Sequence, residues 1–589
     1  MNSFPPQLLL IFGAFLIPLF KGSLRKAYLL LVPVLTLLIF FTLPKGIYHS
    51  YTFLDYNFIF GRLDYLSLPF VYIFCLFTMF ATIFGLHVRD SYLLMTAWIY
   101  SGSALGVVLA GDLITLFLFW EIKAIAGAFL VWLGRTRKSL YAGMRYLMVH
   151  LFGGLLLLGG IILLYKKTGT FHFGHVGLDG VSGLLILLGF GLNAAFPLLH
   201  AWVPDAYPES TETGIVFLSG FTTKAAIYAL ARSFAGEEVL ILIGVTMTVF
   251  PIFYAVIENN LVRVLCYSLI NQVGFMVTGI GLGTPQSING AVAHAFCNIL
   301  FEGLLLMTMC AVMYRTGKIN ATDLGGLYKT MPWTTLFCLI GAASISGVPL
   351  TNGFVSKPMI VASSAEAGHL FVWIGLLFAS AGVFHHAGIK IPYFAFFSHD
   401  SGLRPKEAPP HMLVAMGGMA GLCLLIGVYP PLLYNILPYK VDFNPFTGAL
   451  IMEQVQLLAF GALAFTLLML SGLYPAEMRC TNLDADWFYR KGTKVFLRFA
   501  EKVLAKIDYD YVGEAYQKVF VRMILAISSK LKVFDQAGVD GVYHGLSKGS
   551  FSLSEGLKLM QSGKTSDYAM LMLIGLIILF FFAIFLILW

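Results

Sequence analysis

Charge is what this sequence has least of. Only 12% of its 589 residues are Asp, Glu, Lys or Arg, about half the share of an ordinary soluble domain. Apolar runs long enough to cross a bilayer recur from one end to the other. With a mean hydropathy of +0.83, the composition excludes a soluble two-domain enzyme, a nucleic-acid-binding protein and a disordered chain. Cysteine is scarce as well. The seven present (Cys75, Cys266, Cys297, Cys310, Cys338, Cys423, Cys480) form no CxxC and no His/Cys cluster at metal-ligand spacing. Neither a disulfide scaffold, an iron–sulfur centre nor a structural zinc is expected. No glycine-rich phosphate loop opens a helix. Gly279-Ile280-Gly281-Leu282-Gly283 ends an apolar segment without the strand a dinucleotide site needs, so a nucleotide-driven pump is disfavoured and no cofactor is expected. The run from Gln7 to Phe20 lacks a basic flank and a small-residue cleavage site, and is read as a retained first span.

What is present is span after span. At about 20 apolar residues each, segments fall near 7–20, 27–43, 66–86, 92–110, 113–133, 142–165, 181–203, 211–233, 239–257, 262–283, 289–315, 333–362, 369–395, 411–437, 453–475 and 567–589. That makes about sixteen helices of an all-α polytopic membrane protein. Loops after odd-numbered segments collect most of the Lys and Arg (Lys21, Arg25, Arg89, Arg135, Lys138, Arg263, Lys329 and others). The net charge of +8 is thereby concentrated on one side, which predicts cytoplasmic odd-numbered loops in a cell membrane and both termini outside. The stretch 477–566 differs from the rest: it is charged, has no proline, and repeats Val495, Phe496, Phe499, Val503, Leu504 and Ile507 at helical spacing beside Lys494, Arg498, Lys502 and Lys506. This pattern predicts an amphipathic helix lying on the cytoplasmic membrane surface.

Proline interrupts segment 7 at Pro197 and segment 12 at Pro349. The two breaks lie five segments apart, an odd offset that reverses direction through the bilayer and suggests two inverted repeats, each with a broken helix. Ionisable side chains inside spans cost about 2.5–3.5 kcal/mol each on insertion and commonly mark ion paths. Glu121, Lys224 and Lys357 lie inside segments, and His294 and Glu302 share one face of segment 11 with Asn298 between them. These acids and bases could pass a proton laterally by changes of pairing; the competing reading is a set of static ion pairs. Lys123, two residues from Glu121, faces another way and is expected to pair with a different segment. Lys390 is read as a lysine snorkelling to a cytoplasmic helix end, and His200, His385 and His386 as packing or helix-end histidines. No metal site is expected.

Trp120-Glu121, the run His200-Ala201-Trp202-Val203-Pro204-Asp205-Ala206, Lys224 and Gly353-Phe354-Val355-Ser356-Lys357 occur in order. Together they resemble the antiporter-like family, which comprises the proton-translocating membrane subunits of respiratory complex I and the A-type and D-type subunits of Mrp sodium/proton antiporters. The likeness is strongest from Ser91 to Asp400. It implies fourteen core helices containing two inverted five-helix bundles, with Glu121, Lys224 and Lys357 matching that family's glutamate of segment 5 and lysines of segments 8 and 12. The tail from Leu483 through Asp540 to Ala569 resembles the lateral-helix extension found in the distal subunit of complex I and in the large subunit of Mrp, which lies along neighbouring subunits. Two positions depart from the pattern: Asn193 stands where the family has its segment-7 lysine, and Glu302 where it has a segment-11 lysine. Either Lys123 or Lys224 takes the missing lysine's part, or the route is modified, or the chain is structural.

The expected organisation is N-terminal helices 1–110, a first half-channel repeat 111–235, a second 236–400, C-terminal core helices 401–476, a lateral helix 477–566 and a terminal anchor 567–589. The expected function is proton translocation within a multi-subunit membrane complex, with sodium as exchanged cation in an Mrp-type assembly. A pumping module of a complex I-like dehydrogenase or hydrogenase is the alternative, and a non-conducting scaffold the third reading. One charge moved across 100 mV takes about 2.3 kcal/mol; a gradient or a redox partner must supply it.

Overall fold

The computed structural model describes residues 5–53, 56–475, 477–479, 482–508, 513, 516–527, 540–559 and 563–588. Cys480 and most of 509–539 lie outside them. Helices α1 (Pro6–Leu16), α2 (Gly22–Thr42), α3 (Ser67–Phe84), α4 (Ser91–Leu109), α5 (Leu113–Trp132) and α6 (Arg137–Thr168) lead into the first broken helix, α7 (Gly180–Asn193) and α8 (Trp202–Ala206). After α9 (Glu212–Ser233), α10 (Val239–Ile257), α11 (Leu261–Leu282) and α12 (Pro285–Thr316) comes the second broken helix, α13 (Pro332–Ser346) and α14 (Asn352–Glu366). Then follow α15 (Leu370–Val383), which continues through π-helical turns to Phe397, α16 (Pro410–Val428), the short α17 (Pro431–Tyr434) and α18 (Gly448–Leu470). Among the described residues thirteen helices are long and apolar enough to cross a membrane, and Pro6–Leu19, Gly180–Asn193 and Pro332–Ser346 are shorter apolar ones.

Helix ends follow local chemistry. Thr136 and Thr284 cap α6 and α12 through their hydroxyls, each of these helices runs 32 residues, and each ends on a left-handed glycine, Gly169 or Gly317. Asp112 caps α5 and Asn260 caps α11, and each also forms an isolated bridge to a residue just beyond the long helix that follows, His172 or Asn320. The same construction thus appears twice, as the spacing of the prolines suggested. Lipid supplies no hydrophobic drive between helices, so close backbone approach matters. At the α10–α11 crossing a Cβ on Gly244 would stand 2.4 Å from the Thr278 nitrogen, and one on Gly274 2.6 Å from that of Thr248. Helices α9 and α11 are buried throughout their most apolar stretch, whereas α18 is almost wholly uncovered.

One element has no counterpart in the span reading. Strand β1 (Gly46–Phe53) pairs antiparallel with β2 (Tyr56–Leu63). The second strand is docked on α5, because the Ile59 amide donates to the Asp112 carboxylate at 2.7 Å and the Gly111 amide to the Ile59 carbonyl at 2.9 Å. Just past β2, Asp64 receives the Arg232 guanidinium at 2.8 Å. Burial pushes the Asp64 carboxyl up, but the Arg232 hydrogen bond and charge outweigh it and hold it down to about 2.

The chain divides into two compact units, Met1–Ala485 and Asp486–Trp589. The boundary falls later than the expected one at 476/477. Residues 477–479 and 482–485 are not helical, and Asp484 and Ala485 are buried. Amphipathic helix begins only at α19 (Asp486–Phe499). In the same unit stand α20 (Asp540–Leu559) and the strongly apolar α21 (Thr565–Leu588).

Candidate functional site

Both breaks have one backbone. In the first, Ala195 and Leu198 take left-handed φ of 62° and 68°, on either side of Phe196-Pro197; in the second, Gly347 and Leu350 take 74° and 70° around Val348-Pro349. The Phe196 amide reaches back to the Gly191 carbonyl at 2.9 Å and the Val348 amide to Ala343 at 3.0 Å, a Schellman-type closure in each case. Left-handed leucine costs about 1–2 kcal/mol, and such strain gathers at functional positions. Each break also leaves carbonyls at the end of its first half-helix without helical partners. At the first, the Trp202 indole donates to the Leu192 carbonyl at 3.0 Å. At the second, the Lys357 ammonium donates to Ile345 at 3.0 Å, and Gln454 of α18 to Ser346 at 2.9 Å.

The ionisable groups singled out in the sequence lie on helices α5, α9, α12 and α14. Glu121 is half-buried on α5 and lies against Gly154 of α6, where a Cβ would fall 1.9 Å from its Oε1. Lys123 is fully buried and its Nζ stands 3.9 Å from the Trp120 ring centroid. The expected pairing of Lys123 with a charge on another segment is not what the structure shows: the three-residue step to Trp120 makes a cation–π contact within α5. Lys224 donates to the Ser219 carbonyl at 3.0 Å, on a helix packed against α12, which carries Glu302. His294 joins three helices, with Nε2 donating to Gln272 Oε1 at 3.0 Å and Nδ1 3.1 Å from the Ser356 hydroxyl, next to Lys357. Gln272 donates in turn to Asn271 at 2.9 Å, and Asn271 to the Thr248 carbonyl. Lys357 also lies 5.2 Å from the Phe275 ring. Asn193 ends α7 fully buried.

Several of these groups are buried with no protein hydrogen-bond partner among the described residues: Glu121 Oε1, Lys123 Nζ, both amide atoms of Asn193 and of Asn298, and both oxygens of Glu302. Buried polar atoms are satisfied by protein or by water.

Two residues read as incidental in the sequence have specific polar partners. Lys390 does not snorkel; it is fully buried, donates to the last carbonyls of α10 at Val256 (2.6 Å) and Glu258 (2.8 Å), and pairs with Glu477 at 2.8 Å. A buried ammonium needs such partners, and the open C-terminal carbonyls of α10 provide them. His200, at the first break, bonds Asp484 Oδ1 at 3.0 Å, while Tyr267 donates to Oδ2 at 2.8 Å. Burial pushes the Asp484 carboxyl up, yet the His200 contact outweighs it and leaves it below the ordinary value. His385, by contrast, packs its ring against Phe465 and Tyr474, and its neighbour His386 is fully buried. With Asn482 on Glu258 at 3.0 Å and Arg479 on Asp323, residues 477–479 and 482–485 strap onto the core. His150 on α6, stacked on Tyr146 at 3.9 Å and edge-on to Trp202 at 4.5 Å, was not singled out, though a histidine in an apolar helix is a usable signal.

These spans, paired breaks and buried charges define a polytopic membrane protein. A family model described as NADH:quinone oxidoreductase/Mrp antiporter, transmembrane, matches residues 110–383. The chain is 32% identical over 397 residues to the A-type subunit of the Na(+)/H(+) antiporter of Alkalihalophilus pseudofirmus (strain ATCC BAA-2126 / JCM 17055 / OF4), covering 59% of this chain and 48% of that protein. To the D-type subunit from the same organism it is 29% identical, over 55% of this chain and 69% of the relative. The chain thus spans about half the length of the A-type relative. Among solved structures, a chain of the membrane-bound sulfane sulfur reductase, an archaeal respiratory membrane complex, superposes with TM-score 0.67 at 25% identity, covering 77% of this chain and 98% of the other. A chain of the Mrp complex from Dietzia sp. DQ12-45-1b shares the fold, with TM-score 0.63 at 19% identity over 79% and 95%.

Proposed function

We propose that this chain is the proton-translocating subunit of an Mrp-type cation/proton antiporter, working with other membrane subunits and with sodium as the exchanged cation. The observation that carries the reading is the run of buried ionisable groups from Glu121 and Lys123 through Lys224 and Glu302 to His294 and Lys357, several without protein partners. Its likeness to the A-type and D-type antiporter subunits supports the same reading. In this mechanism Lys224 and Glu302 form the central switch. With the amine charged and the carboxylate ionised, each stabilises the other; transfer of the Lys224 proton onward through His294 to Lys357 leaves a neutral amine beside the Glu302 carboxylate, and a proton arriving from Glu121 recharges the amine. Glu302 takes the place of a lysine, so the central site holds amine and acid together and Asn193 need not titrate. Residues 111–235 and 236–400 serve as the two half-channels, with both termini outside, the stretch 477–566 along the cytoplasmic surface and 567–589 as the terminal anchor.

The archaeal respiratory neighbour favours one other reading, a pump module driven by a redox partner. Ion flux in vesicles bearing the whole assembly decides between these and a scaffold. Glu121→Gln and Lys224→Ala should each abolish flux with the assembly intact; unchanged flux would refute conduction by this chain. Flavin, iron–sulfur or nickel absorption in the purified complex would shift the reading to the redox-driven pump.

A further inference from the structure

Lys357 lines a cavity that the pathway described so far does not use. It measures about 270 Å³ and lies between α14, α15 and α18, with Gly347 and Gly353 of the break, Ser380, Glu453 and Gln454 in its wall. At ~30 Å³ per molecule that space holds roughly nine waters. Its lining contains two ionisable groups, the Lys357 amine and the Glu453 carboxylate. Lys357 is 3% exposed and forms no ion pair with any carboxylate among the described residues; its ammonium rests on the Ile345 carbonyl alone. Glu453 is the one charged residue of a helix that is little covered. A carboxylate in such a helix is costly unless it faces water or a partner. The adjacent residue fixes the geometry, because Gln454 donates to the Ser346 carbonyl at 2.9 Å and so pins α18 against the break.

We propose that Glu453 is the group that accepts the proton leaving Lys357, through water in this cavity, and releases it at the α14–α18 face. The ammonium N–H bond breaks, the proton passes along water to a Glu453 oxygen, and the neutral amine is left to take the next proton from the His294 side. The carboxylic acid then loses that proton to bulk water, so each cycle moves one proton and consumes no other reactant. Gln454 acts as a positioning residue by holding α18 in register with the break. The inference deepens the function proposed above and rests on it.

The test uses vesicles from cells expressing the complete assembly. Glu453→Gln should lower proton flux by about tenfold or more, and Glu453→Asp should restore much of it and move the pH profile. In a second measurement, Glu453→Cys should react with a membrane-impermeant maleimide beyond the level of the parent chain. Flux and pH profile unchanged in Glu453→Gln, or no labelling of Glu453→Cys, would overturn the inference. If Lys224→Ala abolishes flux while Glu453→Gln does not, only this step falls; if neither changes flux, the proposed function falls first.

Discussion

The two broken helices repeat one backbone, with the same left-handed positions about a proline and the same closing hydrogen bonds, yet they carry different side chains. In the first, the free carbonyl of α7 is capped by a neutral indole, and the acid three residues further on, Asp205, is fully engaged by Arg145 at 2.6 and 2.8 Å. In the second, the Ile345 carbonyl is capped by an amine that shares a cavity with the Glu453 carboxylate. The first break is also strapped from outside by Asp484, while the second is pinned by the neutral Gln454. On the proposed mechanism, a single backbone device serves as a fixed joint in one half and as a place where charge moves in the other. What differs is whether the group at the break can give up a proton without leaving a buried charge unpaired.

The largest expected effect lies between the halves. Lys224→Ala removes the charge facing Glu302, and the fully buried acid should cost about 3–5 kcal/mol of stability, read as a fall in the thermal midpoint of the detergent-solubilised assembly. Adding Glu302→Gln should recover much of that loss without restoring flux. Additive losses would mean the two groups are independent.

The caps come next. Lys357→Met and Trp202→Phe each bare one carbonyl and should each cost about 1–3 kcal/mol. Only Lys357→Met should alter the pH dependence of transport; equal effects of both on the pH profile would erase the distinction between the breaks.

The strap gives a smaller effect with a defined sign. The folded Asp484 carboxyl is depressed, so its contribution is present above the ordinary carboxylate value of about 3.9 and is lost as pH falls through the lower folded value. Asp484→Asn should weaken the contact by about 1–2 kcal/mol at neutral pH, seen as faster hydrogen exchange in 477–485. Its difference from the parent should shrink on acidification below pH ~4; a difference that grows would reverse the assignment.

Smallest is the backbone strain. Ala195→Gly should stabilise by roughly 1 kcal/mol, and Gly347→Ala should destabilise by a similar amount. Equal and opposite shifts in midpoint would confirm that the two positions share one conformation; shifts of the same sign would break the equivalence.

Much of this is legible in the chain itself. A bilayer demands some twenty apolar residues per crossing, so spans from Ser91–Leu109 to Gly448–Leu470 stand within a few residues of their expected places. Proline cannot donate to a helix, so Pro197 and Pro349 announce the breaks. The β1–β2 pair is not legible, because its short aromatic run does not alternate cleanly and its hold is the distant Asp112. The contacts of Lys390 and His200 escape for a related reason: their partners, Glu477 and Asp484, lie far away in a stretch whose composition speaks for amphipathic helix.

By itself the sequence determined which stretches enter the membrane, where two of them must break, and which ionisable groups are carried inside. These follow from transfer cost and backbone donors, and both are properties of single residues and their near neighbours. The tertiary structure alone decided which groups are paired and which are left to exchange. It set Lys123 over Trp120, Lys224 on a helix packed against that of Glu302, Asp484 on His200 and a cavity between Lys357 and Glu453. Pairing depends on distances of a few ångströms between segments far apart in the chain, and no local pattern encodes those.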